Sequence, residues 1–356
     1  MNTVNFVIEK GNNNLDFVRI FLAISVIYGH GYFLVESHGP KEFLNQLFPF
    51  TYSGALAVKV FFFISGMLVT NSLLKGSSPT NFVISRFFRI APAFFITTLA
   101  TAFIIGPLIS NYDISGYFSS PLFSEYIKSN PITGVSYKLP GVFDSNHLAS
   151  VVNGSLWTIP YEVRAYIGLL ATFMVLGAGK KKTATLLCLF IMFIPILDLN
   201  KETFINIPSK DSKLVISCFA LGILYAVNKK RIHVSWDIPL GLFVLHYFFN
   251  NAMLSETLFF FSACTLSLWI ASIDFIKNIN IKHDVSYGVY LWGFLVQQVV
   301  ASFVGSYGVF ANQLISIIIS VSIGYMSFVF IERPCITFGN KLKSHVKKIS
   351  LVGIKA

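Results

Sequence analysis

Charge is what this sequence has least of. Only 12% of its 356 residues are Asp, Glu, Lys or Arg, about half the share that coats an ordinary soluble domain. That excludes a soluble globular protein of this size, and equally an intrinsically disordered chain, which needs high charge and few apolar residues. Cysteine is scarce too. Cys188, Cys218 and Cys264 lie in apolar stretches and Cys335 near the end, without the paired spacing of a zinc site or disulfide framework, so packing is their simplest role. The acidic residues number 16 against 27 basic ones, for a net charge of +11. In a soluble protein that excess would suggest nucleic acid; in a membrane protein it must first be tested as a determinant of topology. No coiled-coil pattern, internal repeat or appended soluble domain is visible.

Apolar residues, by contrast, make up 54% of the chain, including 37 Phe, and the mean hydropathy is +0.67. Long apolar stretches recur from end to end. A membrane span needs about 20 mostly apolar residues, so the chain reads as an all-α polytopic membrane protein. Ten segments are long and apolar enough to be considered: about 15–35, 54–74, 90–111, 156–177, 183–199, 213–228, 235–250, 256–273, 285–305 and 312–332. The fifth to seventh are short for a full bilayer. The first follows a nearly neutral leader and lacks a small-x-small cleavage pattern, so it reads as a retained helix rather than a signal peptide.

Lysine and arginine set the orientation. With both termini cytoplasmic, eighteen of the 27 basic residues fall in segments on the inside and six on the outside, as the positive-inside rule requires. The basic balance then needs no nucleic acid. The expected organisation is a cytoplasmic segment 1–14, a transmembrane domain 15–335 and a basic cytoplasmic tail 336–356. An outer loop spans about 112–155, rich in Tyr, Ser, Pro and Gly and without an obvious helix. Such a loop either covers an extracytoplasmic sugar or merely connects two spans.

Ionisable groups inside spans are expensive and therefore functional candidates by default. Arg19 and His30 are eleven residues apart in the first span, which brings them within about 20° of one helix face and separates them by about 16 Å along the axis. Asp16, three residues before Arg19, can pair with it. Taken singly, Arg19 is a snorkelling anchor and His30 a hydrogen-bonded packing residue. On one stripe, they become a basic rim and a neutral imidazole able to take a proton from a hydroxyl. Arg86 and Arg89, placed just before a third span opening at Ile90, share a face at i and i+3 and suit forked contacts with phosphate, although arginines belong on this side for topology alone. Glu162 and Tyr166 are i and i+4 near the outer end of the fourth span. Glu162 either orients His30, binds acceptor hydroxyls, or forms a structural ion pair with Lys59 or Arg164. Lys59 itself either lines a pore or snorkels. Phe61-Phe62-Phe63-Ile64-Ser65-Gly66 fits close helix packing, Glu332-Arg333-Pro334 a helix stop with a local ion pair, and His246 a structural role. No metal site is expected.

In their order along the chain, six of these motifs resemble the integral-membrane acyltransferase family 3, the bacterial O-acyltransferases of surface and lipid-linked glycans. They are Asp16 with the Arg19-x10-His30 pair, Phe61 to Gly66, Arg86-x-x-Arg89, Leu156-Trp157-Thr158-Ile159-Pro160-Tyr161-Glu162, Ser286-Tyr287-Gly288-Val289-Tyr290-Leu291-Trp292, and Ile331-Glu332-Arg333-Pro334. The resemblance implies a bacterial inner-membrane enzyme with acetyl-CoA or another acyl-CoA as donor substrate and no permanently bound cofactor. Arg19, Arg86 and Arg89 would hold the donor. His30 would act as general base or acyl carrier, Glu162 would join it in catalysis, and Asp16 and Tyr166 would orient the site or receive the acceptor. Partners would be acyl-CoA, a glycan acceptor and membrane lipids, with oligomerisation open. The sequence departs from the family at Gly293, where many members carry a second histidine, and it shows no counterpart of the hydrolase-like domain that many members append. Two rivals remain: a membrane glycan polymerase or ligase, which would place its arginines in outer loops where this chain has lysines, and a transporter or flippase for a lipid-linked sugar, which would favour broken helices in matching halves.

Overall fold

The computed structural model describes residues 2–9, 11–36, 39, 41–76, 78–130, 135–177, 179–194, 196 and 210–352. These residues are mostly helical. A two-residue antiparallel ladder, Asn2–Thr3 against His233–Val234, is a small addition to the expected all-α chain. The long helices are α1 (Leu15–Leu34), α2 (Ser53–Leu74), α3 (Pro79–Ala100), α4 (Thr158–Leu176), α5 (Lys181–Phe193), α6 (Lys210–Val227), α7 (Asp237–Phe248), α8 (Ala252–Ser272), α9 (Ser286–Val304), α10 (Gly308–Ser327) and α11 (Arg333–Val352).

Among the described residues, seven helical segments are long and apolar enough to cross a membrane, and the protein is a multi-pass membrane protein. The fifth, sixth and seventh expected spans correspond to α5, α6 and α7, which fall outside that set. The 13 and 12 residues of α5 and α7 reach about 18–20 Å at 1.5 Å per residue, short of a 30 Å hydrocarbon core. Helix α6 opens with Lys210, Asp211 and Lys213. The end of the expected fifth span, beyond residue 196, lies outside the described residues.

The chain forms two compact units: Met1–Val26, Lys41–Ser77 and Tyr161–Asp284 in the first, and Ile27–Pro40, Ser78–Pro160 and Val285–Ala356 in the second. In the first unit α2 crosses α6 at two glycines. A Cβ on Gly66 would collide with the Phe219 carbonyl, and one on Gly222 with the Phe63 carbonyl, so these helices meet backbone to backbone, as small residues permit in membranes. Lys59 lies inside this packing rather than lining a pore or snorkelling. It is 1% exposed, its ammonium pairs with Asp211, and it sits 4.8 Å from the centre of the Phe260 ring. His246 is structural: its Nδ1 lies 2.7 Å from Ser255 Oγ, among the rings of Phe48, Phe50 and Phe259.

In the second unit α9 packs on α10 and α11 on α3. Helix α3 begins eleven residues before the expected boundary at 90, because Ser78 caps it by accepting from the Asn81 amide and Pro79 fits its first turn. The segment 112–155, expected as an outer loop, is more ordered in its described residues than its composition predicts. It contains helices Ile114–Ser119 and Pro121–Ser129, capped by Asp113 and Ser120. Tyr117 and Tyr126 are fully buried with Leu139, Val142, Phe143 and Leu295, and Tyr117 donates to the Ala102 carbonyl at 2.8 Å. This segment is a packed part of the unit and not a bare connector. The expected helix stop at Pro334 is absent as well. A π-helical turn, Phe328–Glu332, joins α10 to α11, and Pro334 occupies the opening turn of α11, where its missing N–H matters least.

Gly222→Val should wedge α2 from α6 at a cost of about 1–3 kcal/mol. The check is the thermal unfolding midpoint of the purified protein in detergent, which should fall by several degrees; an unchanged midpoint would contradict the close crossing.

Candidate active site

In the second unit His30 stands on the C-terminal part of α1, its ring edge-on to Phe294 of α9 at 5.2 Å between centroids. The backbone before it is held by buried amides. Gln297 Nε2 donates to the Ile27 carbonyl at 2.8 Å and Gln313 Nε2 to the Tyr28 carbonyl at 2.7 Å. Asn312 Nδ2 donates in turn to the Gln297 carbonyl at 3.0 Å. Gln298 reaches the outer segment through the carbonyls of Leu148 and Val151. Buried amides are stable only when satisfied, so this set fixes the rotation and height of the turn that carries His30. Gly293 is part of the same packing. A Cβ there would lie 2.9 Å from Ile27 Cγ1, so a second imidazole at this position would require Ile27 to move.

Arg86 and Arg89 also belong to the second unit and sit within α3, not ahead of it. Their i, i+3 spacing puts both on one face. Arg89 Nη1 lies 3.3 Å from Glu332 Oε2 and its guanidinium 5.9 Å from the Tyr287 ring centre, while Tyr287 donates to the Ile90 carbonyl at 3.0 Å. Glu332 is 1% exposed. Its ion pair with Arg89 is long-range, in place of the local one expected at the helix end. Close by, Lys343 of α11 donates to Ser85 Oγ at 2.8 Å. The Leu156 to Pro160 stretch is clamped to α9: Tyr290 donates to the Ser155 carbonyl at 2.8 Å and meets Thr158 Oγ1 at 2.8 Å, and Asn153 Nδ2 donates to the Leu291 carbonyl.

The remaining candidates lie in the first unit. Arg19 pairs through Nη1 with Asp284. The start of α1 is tied to the same stretch of chain, because Asn14 Nδ2 donates to the Ile276 and Ile279 carbonyls at 2.9 and 2.8 Å while its Oδ1 accepts from the Phe17 amide. Asp16 occupies the first turn of α1, where the helix dipole favours a negative charge. Glu162 and Tyr166 meet, the phenol donating to Glu162 Oε1 at 2.5 Å, and Ser65 Oγ of α2 lies 2.6 Å from the same phenol oxygen. The competing ion pair for Glu162 is not formed with Lys59, which is committed to Asp211; Arg164 lies over the Tyr161 ring at 5.6 Å.

Sequence reasoning missed Asp284, Ser65, Gln297 and Gln313. The glutamines had a readable signal, since Gln297-Gln298 and Asn312-Gln313 are adjacent amides inside otherwise apolar helices and such groups need partners. Asp284 carries no local signal, and Ser65 was noticed only as part of the Phe61 to Gly66 packing motif. Among the described residues, no three His, Cys, Asp or Glu gather to hold a metal ion.

Membrane-length helices with titratable side chains lodged among apolar ones define a class of integral-membrane protein in which such groups mark substrate paths and reaction centres. The acyltransferase domain family matches residues 12–331, and this chain belongs to that family; it is an acyltransferase. It is 27% identical over 333 residues to an O-acetyl transferase of Shigella phage Sf6, covering 92% of this chain and 96% of the relative. It is 24% identical over 360 residues to Nodulation protein 10 of Rhizobium leguminosarum bv. viciae, covering 93% and 95%. No solved structure matches.

Glu332→Ala removes the carboxylate that Arg89 meets in a largely buried site and should destabilise the protein by about 3 kcal/mol. Replacing both residues, Arg89→Met with Glu332→Leu, should recover most of that loss in a thermal melt; equal destabilisation by the single and double variants would contradict the pairing.

Proposed function

We propose that this acyltransferase is an O-acetyltransferase of the bacterial inner membrane, which moves an acetyl group from cytoplasmic acetyl-CoA to a hydroxyl of a cell-surface or lipid-linked glycan. The observation that supports this reading best is that His30 follows a turn whose Ile27 and Tyr28 carbonyls accept from the buried amides of Gln297 and Gln313, with its ring edge-on to Phe294. The O-acetyl transferase among the relatives supports acetyl as the group moved. In this reading the chain crosses the membrane ten times, α5, α6 and α7 included, with both termini cytoplasmic and an excess of basic residues inside.

His30 is the general base. Its imidazole takes the proton of the acceptor hydroxyl, the hydroxyl oxygen attacks the thioester carbonyl, and the CoA thiolate leaves and is protonated. The edge of Phe294 and the amide-held turn keep the ring from rotating away, which matters because misplacing a base by an ångström forfeits much of its effect. Arg19, Arg86 and Arg89 bind the donor phosphates. Arg19 and Arg89 already meet the carboxylates of Asp284 and Glu332, and the planar fork of a guanidinium suits phosphate as it suits carboxylate. Glu162 acts on the acceptor side with Tyr166, the carboxylate accepting from sugar hydroxyls, and Asp16 orients the opening turn of α1 that carries Arg19.

His30→Ala should lower acetyl transfer by purified protein at least about 100-fold while leaving membrane insertion and thermal stability intact; a fully active variant would overturn the catalytic role. Arg86→Ala, which leaves the Arg89–Glu332 pair in place, should raise the KM for acetyl-CoA with a smaller change in kcat. An unaltered acetyl-CoA dependence would count against the phosphate role.

A further inference from the structure

The first unit contains a cavity of about 400 Å³ between α4 and the pair α5 and α6. One stripe of α4 forms a whole wall of it, running from Tyr161 through Arg164, Gly168 and Thr172 to Leu176. At 1.5 Å per residue that wall is about 22 Å long, most of the roughly 30 Å hydrocarbon thickness. Its middle is open: a Cβ built on Gly168 meets nothing within 4 Å. Beside it Ile167, Val175 and Leu186 are 63%, 79% and 67% exposed. Large apolar side chains this exposed on a membrane protein face hydrocarbon, so the trough is reached sideways from the bilayer.

Both ends carry positive charge, and one carries more of it. At one end Arg164 is stacked on Tyr161. At the other, Lys180 and Lys181 line the cavity and Lys182 follows. Positive charge is crowded there. Lys229, whose Nζ donates to Asn71 Oδ1 at 2.7 Å, has its ammonium pushed below the ordinary lysine range, first by partial burial and then by Lys75, Lys181 and Lys230, with Glu9 opposing. A phosphate at that end would relieve the repulsion, and basic pockets beside spanning helices do bind anionic lipid headgroups.

We propose that this cavity is a binding site for one anionic phospholipid, with an acyl chain lying along the α4 stripe and the phosphate held by Lys180 and Lys181. The sideways opening selects a bilayer lipid over a soluble acyl-CoA. The site is separate from the acetyl-transfer reading, and its test reads lipid binding alone.

The experiment is native mass spectrometry of the delipidated full chain in detergent, titrated with phosphatidylglycerol and with phosphatidylcholine of the same acyl chains. The wild type should retain one phosphatidylglycerol and prefer it about tenfold or more. Lys180→Glu combined with Lys181→Glu should erase the preference, and Gly168→Leu, which fills the open trough, should weaken both lipids while the protein stays monodisperse. Should Gly168→Leu fail to fold, the lysine variant decides alone. Equal retention of the two lipids by the wild type, a preference that survives the charge reversal, or displacement of phosphatidylglycerol by equimolar palmitoyl-CoA would each overturn the proposal.

Discussion

A charge carried into hydrocarbon must be matched, and the rest of this structure follows from that constraint. Lys59 meets Asp211, Arg19 meets Asp284, Arg89 meets Glu332 and Lys210 meets Glu256. None of these is a neighbour on the same helix face; the partners stand 152, 265, 243 and 46 residues apart. A buried ion pair adds little net stability over an apolar replacement, but leaving one member alone is costly. The pairs therefore act as registration points, tying segments of one unit to each other at fixed heights. They also show why two arginines proposed to bind the donor are already partly satisfied: an unmatched guanidinium would not persist there in the absence of substrate.

The same constraint applies to neutral polar groups. Gln297, Gln298, Asn312 and Gln313 are all buried, and their amide N–H groups donate to backbone carbonyls and, for Gln297, to Asn312 Oδ1. Two of those carbonyls, of Ile27 and Tyr28, belong to the turn preceding His30. Asn146, from the stretch between α3 and α4, is fastened to α9, its Nδ2 donating to the Gln298 side chain at 2.8 Å. An imidazole surrounded in this way has little freedom left to lose, which is the preorganisation a general base requires. In the first unit the contact of Tyr166 with both Glu162 and Ser65 does a similar service for a carboxylate.

How much of this was legible depended on whether the signal was local. The helices expected at 54–74 and 285–305 appear at Ser53–Leu74 and Ser286–Val304, because an apolar run of bilayer length needs no information from elsewhere. Glu162 and Tyr166 could be paired because i and i+4 are neighbours on any helix. The early start of α3 was missed because its first turns are polar, although the Ser78-Pro79 cap was there to be read. Likewise Pro334 looked like a stop, since a π-turn that carries a helix into a proline leaves no mark in the sequence. The burial of Tyr117 and Tyr126, members of a loop read only as Tyr-rich, was not legible because it comes from Leu139, Val142 and Leu295, which lie outside their own short helices. For the same reason Asp284 had no signal, and Ser65 stood out only within a packing motif. The glycine at 293 was legible as a departure from the family, and its cause, the close approach of Ile27, was not.

The central claim is that the titratable groups these helices carry serve transfer of an acetyl group to a glycan. It is tested most directly by mass analysis of surface glycan from otherwise identical cells with and without the chain. The account predicts that glycan from cells containing it is heavier by one acetyl group per modified sugar, with chain length unchanged, and that mild base treatment removes the difference, as expected for an ester. A change in chain length with no added acetyl would instead indicate a polymerase or ligase, and loss of surface glycan altogether a transporter; either result would contradict it.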